Sequence, residues 1–245
     1  MAAGCGSGGC SGVSGGVTTA ERLQLPGGRE LFLGWAEVGA EDDATLSGLE
    51  REGLARCRTA KRRREFVAGR LAAHRALERL EPGARAEVTA RTEGLDAGRP
   101  VLVPERGLAL SISHSTGLAV AALARGGALG VDLEERVEAG EAFLEEAFAP
   151  GERAGYAAVC GAWVDATTAA WAMKEAVLKV WGVGLRAPLQ KVAVRPVLLH
   201  AHAGLLALRV KLDTWELPPG LGEPPSVLDA LLLTDGTGRV LAAAG

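Results

Sequence analysis

The sequence predicts an α+β protein in which helix precedes strands twice along the chain. Apolar residues recur at helical spacing from about Thr59 to Leu80 and again from about Thr167 to Trp181. Each stretch is followed by short segments with period-two alternation, the signature of half-buried strands. A regular strand–helix alternation, which a doubly wound parallel sheet requires, is missing.

Residues 1–20 are nearly all Gly, Ser, Ala, Thr and Val, a composition that buries little, and they read as a disordered leader. The folded part is expected from near Leu23, with Glu30–Val38 as a first strand. In the first helix Val67, Leu71, His74 and Leu77 form one apolar face, and Pro82–Gly83 ends it. A short strand (Ala86–Arg91) precedes the turn-rich Gly94–Arg99 and the pair Pro100 and Pro104. Strands follow at Leu108–Ser113 and Leu118–Ala124, and Gly126–Gly127 reads as a hairpin turn into Ala128–Glu134. Helices are expected at Ala139–Phe148 and Gly151–Cys160. The helix ending at Trp181 is closed by Gly182 and Gly184. Val192–Val194, Leu205–Asp213, Val227–Leu233 and Val240–Ala243 alternate as strands, around a Pro-rich stretch at Leu217–Pro225.

Composition narrows the function classes. Hydrophobic residues make up 48% and charged residues 23% of 245 residues, enough for a sizeable core. A net charge of −3 gives no whole-molecule attraction to nucleic acid or an anionic membrane, so a polyanion site must be a local basic patch. Cys5, Cys10, Cys57 and Cys160 form no CxxC pair, which points away from a disulfide framework or zinc cage and toward a reducing compartment. No apolar run of about 18 residues is present, and the N-terminus has neither signal-peptide nor transit-peptide character. The cytoplasm is the expected location.

Four groups of residues can carry chemistry. On a strand, Asp132 and Glu134 of Gly130-Val-Asp-Leu-Glu share one face while Val131 and Leu133 share the other. Two adjacent carboxylates call for a cation, although a solvated strand end also satisfies them. Helical spacing aligns Trp171, Glu175 and Lys179. Glu175 and Lys179 read either as a surface pair or, with Trp171 and Leu178 beside them, as part of a covered site. Ser111, Ser113, His114 and Ser115 at a strand end can bond phosphate oxygens, with charge assistance from a protonated His114, or form a polar turn. Lys61-Arg-Arg-Arg64 opens a helix against its dipole, which an anion can offset, and Arg70, Arg91 and Arg99 add further cations. Nucleic acid fits this run poorly, since no aromatics are interleaved.

In this order the motifs resemble the 4′-phosphopantetheinyl transferases of the surfactin-synthetase-activating type, from about Lys61 to Leu185, roughly half the chain. They are the arginine helix ending Ala68-Gly-Arg70, Gly98-Arg-Pro-x-x-x-Pro104, Ser111-Ile-Ser-His-Ser115 and Gly130-Val-Asp-Leu-Glu134. Phe148-x-x-x-Glu152 and Trp171-Ala-Met-Lys-Glu-Ala-x-x-Lys179 with Gly182-x-Gly184 complete the set. The resemblance implies a pseudo-dimer of two α+β halves, residues 21–125 binding coenzyme A and residues 126–245 carrying the metal and catalytic residues. The active site would lie in the cleft between them, and the seam near Arg125–Gly127. It implies Asp132, Glu134 and Glu175 as Mg²⁺ ligands, Glu175 as general base directly or through a water, and Lys179 on the phosphate near the scissile bond. Ser113 and His114 would be phosphate contacts, and Arg91, Gly98 and Arg99 the nucleotide turn. Arg63 would meet the 3′-phosphate, with Arg56, Lys61 and the rest of the Lys61–Arg64 run as alternatives. Coenzyme A and an apo carrier protein would be substrates of a monomeric enzyme of the holo-[acyl-carrier-protein] synthase type. Pro150 and Gly151 depart from a continuous helix and weaken a metal role for Glu152. A non-catalytic coenzyme A or nucleotide-binding module is the rival expectation.

Overall fold

A computed structural model of the chain describes residues 20–39, 44–214, 225–236 and 238–245. The Gly/Ser-rich stretch up to residue 19, with Cys5 and Cys10, and the Pro-rich stretch up to residue 224 lie outside them. In chain order the elements are β1 (Arg22–Gln24), β2 (Glu30–Glu37), α1 (Gly48–Ala55), α2 (Ala60–Leu80), β3 (Glu87–Ala90), β4 (Pro100–Val103), β5 (Leu108–Ser115), β6 (Leu118–Arg125) and β7 (Gly130–Glu134). Then come α3 (Glu141–Ala147), α4 (Glu152–Cys160), α5 (Ala166–Trp181), two short 3-10 turns, β8 (Val192–His202), β9 (Leu205–Thr214), β10 (Val227–Thr234) and β11 (Val240–Ala244).

The strands form two main antiparallel sheets and one small ribbon. One sheet has the order β1-β2-β6-β5, the other β7-β11-β10-β9-β8, and β3 pairs with β4. Apolar side chains from both main sheets meet in a shared core that includes Leu31, Leu33, Trp35, Val120, Leu129, Val131, Leu133, Leu231 and Leu241. Helix α2 covers the opposite face of the first sheet at β2 and β6, and α5 covers the second at β7 and β11. The architecture is α+β, with two similar halves.

The repetition extends to single atoms. A Cβ on Gly34 of β2 would lie 2.0 Å from the Ala72 carbonyl oxygen of α2, and one on Gly130 of β7 would lie 1.8 Å from that of Ala176 in α5. In both halves a glycine in the first long strand lets the main helix rest on the sheet backbone. That close approach also explains the many alanines on α2. Ala68, Ala72, Ala73 and Ala76 with Leu77 make its buried face, so the Val67–Leu71–His74–Leu77 stripe is off-centre: Leu71 and His74 are only half-buried. Small residues lower the apolar periodicity even where burial is complete.

The structure corrects the hairpin expected at Gly126–Gly127. Both glycines have positive φ, as a tight turn needs, but β6 is already paired on both edges, with β2 and β5. Strand β7 therefore leaves and pairs with β11 in the other sheet. The Arg29 guanidinium holds the connection by donating to the carbonyls of Arg125, Gly126, Gly127 and Ala128. Three elements escaped the sequence reading: β1, α1 and β4, the last taken for part of a turn. Strand β8 also runs on to His202, and its distal half is exposed with little periodic signal. Among the described residues no helix is long and apolar enough to cross a membrane.

Candidate active site

The site forms where the two halves touch, between β5, β7 and α5. Pairing with β11 fixes the facing of β7: Val131 and Leu133 enter the core between the sheets, while Asp132 and Glu134 turn toward the helix side, with Asp132 opposite Ala242. Helix α5 is N-capped by Asp165, whose carboxylate accepts from the Thr168 amide at 2.8 Å, and closed by Gly182 in the left-handed conformation. Its apolar faces are buried, which leaves Glu175 and Lys179 on the stripe nearest β7.

Ser113 Oγ of β5 donates to Asp132 Oδ1 at 2.7 Å. Lys179 Nζ donates to the same oxygen at 2.5 Å, to the Val131 carbonyl at 3.0 Å and to Ser113 Oγ at 3.2 Å. Glu175 lies 3.9 Å from Lys179, and Trp171 Nε1 donates to Glu134 Oε1 at 3.1 Å. The Ser111 hydroxyl accepts from the Val131 amide at 3.0 Å, so β5 is fastened to β7 twice across the seam.

The electrostatics set this cluster apart from a surface pair. Burial, then the charges of Asp132 and Glu175, push the Glu134 carboxyl up to about 7. Burial and then Asp132 raise Glu175 to about 7 as well, against the pull of Lys179. The three carboxylates thus share one desolvated region. Asp132 Oδ2 is buried and has no hydrogen-bond partner among the described residues.

An orphaned carboxylate oxygen beside two carboxyls held partly protonated is the donor set that a hard divalent cation would resolve, so the residues fit Mg²⁺. As they stand, no group of three His, Cys, Asp or Glu side chains among the described residues converges into a metal-holding arrangement. The Lys179 ammonium occupies Asp132 Oδ1.

The matching family models cover residues 50–124, as the 4′-phosphopantetheinyl transferase N-terminal domain, and residues 128–214, as the 4′-phosphopantetheinyl transferase superfamily. Together they span about two thirds of the chain. The chain belongs to the 4′-phosphopantetheinyl transferase superfamily. A search of curated proteins returned no match.

The other expected site residues of this transferase-family chain fall into two groups. His114 stands at the end of β5, where Arg62 Nη1 meets its Nε2 at 2.9 Å. Arginine only donates, so Nε2 can accept from it when the ring is neutral, while Glu65 Oε2 lies 3.6 Å from the same nitrogen. Burial lowers the His114 pKa, against the pull of Glu65 and with help from Arg62 and Lys179. Arg63 instead donates to the Leu54 carbonyl of α1 at 3.2 Å, and Lys61 pairs with Glu65 at 3.7 Å. Of the basic run, Arg62 is the residue brought to β5.

The expected nucleotide turn borders a cavity of about 400 Å³ lined by Gly98, Arg99, Ser111, Ile112, Lys179 and Leu185, among others. Arg91 pairs with Asp96 at 3.2 Å, and burial lowers the Arg99 pKa. A Cβ on Gly182 would sit 2.7 Å from that of Asp96, so the end of α5 presses directly on the turn. Arg186 donates to the carbonyls of Leu95 and Gly182 and closes the same contact. Arg186 was not singled out from sequence, whereas Trp171 and Ser111 stood in the candidate groups without a role of their own and Arg62 stood only among alternatives. Glu152 lies apart from the carboxylates and pairs with Lys174 at 2.8 Å.

Proposed function

We propose that this chain transfers the 4′-phosphopantetheine arm of coenzyme A to a serine of an apo carrier protein, as a surfactin-synthetase-activating-type transferase with holo-[acyl-carrier-protein] synthase activity. One observation carries the reading. Three carboxylates and a lysine from the second half meet two serines of the first, beside a cavity bordered by Arg99 and Gly98. The residues that would hold Mg²⁺ are Asp132, Glu134 and Glu175. When bound, the ion neutralises diphosphate charge and orients it.

The chain's own residues supply the rest. Lys179 can exchange Asp132 Oδ1 for a phosphate oxygen with little movement, bringing a cation to the phosphorus that carries the arm. Ser113 can rotate its one hydroxyl proton from Asp132 Oδ1 to the same phosphate. His114 contributes a ring hydrogen bond, with charge coming from Arg62 and Arg99. The carrier serine attacks the phosphorus, the bond to the nucleotide phosphate breaks, and adenosine 3′,5′-bisphosphate leaves with that electron pair. The serine proton passes to Glu175 or to a water it orients. The enzyme acts as a cytoplasmic monomer in this reading, since its cleft is built within one chain.

Incubating the protein with coenzyme A, Mg²⁺ and an apo carrier, then weighing the carrier, tests this. A mass gain of one phosphopantetheine arm is expected, and Glu175→Gln should lower the rate by about 100-fold or more. No gain on fatty-acid, polyketide or peptide-synthetase carriers, with coenzyme A still bound, would favour the non-catalytic binding module.

A further inference from the structure

Lys174 immediately precedes Glu175, yet its side chain runs away from the cleft into the second half's core, where it and Glu152 are both 0% exposed. Its ammonium donates to Glu152 Oε2 at 2.8 Å, to the Ala147 carbonyl at 2.6 Å and to the Leu189 carbonyl at 3.0 Å. Glu152 in turn accepts from the Ala149 amide at 2.9 Å and the Val194 amide at 3.0 Å. One ion pair thus joins α5 to the end of α3, the start of α4, the 3-10 turn before β8, and β8 itself. Every donor of Lys174 is used.

A wholly buried ion pair is seldom more stabilising than an apolar pair of the same volume, but it is far more particular about geometry. Successive helix residues point about 100° apart, so anchoring residue 174 sets the direction of 175 and 179. We propose that Lys174 and Glu152 are positioning residues for the transfer, holding α5 in the rotation that aims Glu175 and Lys179 at β7 and β5. This rests on the functional reading above.

The first half contains its own control. Glu50 of α1 is also 0% exposed, accepting from the Val88 amide at 2.9 Å and facing His74 Nε2 at 2.7 Å, but the helix it steadies, α2, bears none of the carboxylates. The test compares Lys174→Met, Glu152→Gln, the double variant and Glu50→Gln, each assayed well below its own thermal midpoint for kcat and KM. The expectation is a fall in kcat of about tenfold or more in the first three, with KM for coenzyme A changed less than about threefold. Glu50→Gln should keep kcat within about twofold whatever its midpoint. The double variant leaves no unpaired buried charge, so it should recover stability without recovering kcat. If the single variants do not fold, the double variant decides. If it fails too, Glu152→Asp decides by the same kcat fall, since it keeps both charges but draws the carboxylate back. A double variant as fast as the parent, or an equal loss in Glu50→Gln, overturns the positioning role alone. A parent chain that loads no carrier overturns the functional reading and this one with it.

Discussion

The two halves are built alike around their main helices and differ in what those helices face. Gly34 lies under Ala72 and Ala76 of α2 as Gly130 lies under Ala176 and Val180 of α5. Arg75 of α2 donates to the Trp35 carbonyl just as Lys179 of α5 donates to the Val131 carbonyl, one residue beyond the glycine in each case. With these positions matched, Ala36 stands where Asp132 is, Val38 where Glu134 is and Leu71 where Glu175 is. The first half packs these places with apolar groups, and the second fills them with carboxylates. A helix seated on a glycine is therefore the scaffold common to both, and the chemistry comes from substitutions at three positions facing the seam. The first half contributes from across that seam, through Ser111, Ser113, His114 and the turn at Arg99.

This contrast can be broken at several points. The largest effect is expected from the matched cations. Lys179→Met should lower transfer by about 100-fold or more, because a charge aimed at the reacting phosphate is lost. Arg75→Met should leave kcat unchanged and cost about 1 kcal/mol of stability, the worth of its bond to Trp35. Carrier mass against time and thermal unfolding check both, and equal loss of activity in the two variants would erase the distinction. Next come the glycines. Gly34→Ala and Gly130→Ala should each destabilise by about 3 kcal/mol or more, because the added methyl meets helix backbone that cannot yield. Similar losses on denaturant unfolding would support the shared scaffold.

A smaller, pH-dependent difference follows from Glu134 and Glu175, both raised to about 7. A carboxyl whose folded pKa exceeds its unfolded one holds its proton more tightly when folded. Its contribution is present below about 4.5 and is lost as pH rises through about 7. Glu134→Gln should accordingly raise the metal-free thermal midpoint at pH 8 and hardly change it at pH 4. Mg²⁺ affinity of the parent, measured calorimetrically, should strengthen over the same rise as the carboxyls ionise. The smallest effect is expected at the surface. Breaking the exposed Arg195–Asp213 pair with Asp213→Asn should cost less than about 0.5 kcal/mol by denaturant unfolding.

Much of the second half's helix and strand content was legible because its segments are long and strongly periodic, as α5 and β9 show. Elements with weak periodicity were not: α1 is short and largely exposed, and β4 begins at a proline. The site was half legible. Alternation put Asp132 and Glu134 on one face, and helical spacing put Glu175 in line with Lys179. Arg62 was one of several equivalent cations in its run, and nothing local separated it from Arg63. Helix phase against β5 made that choice.

By itself the sequence determined the order of the motifs, their family resemblance and the faces that local backbone geometry imposes, since periods of 3.6 and 2.0 need no distant partner. The tertiary structure decided which strand β7 joins, because that depended on β6 having no free edge. It also decided that Ser113 meets Asp132, that Lys179 rests on a carboxylate, and that Lys174 turns inward to Glu152. Each of these joins residues far apart in the chain. Such contacts follow from edge availability, burial and charge in the assembled core, which no local pattern records.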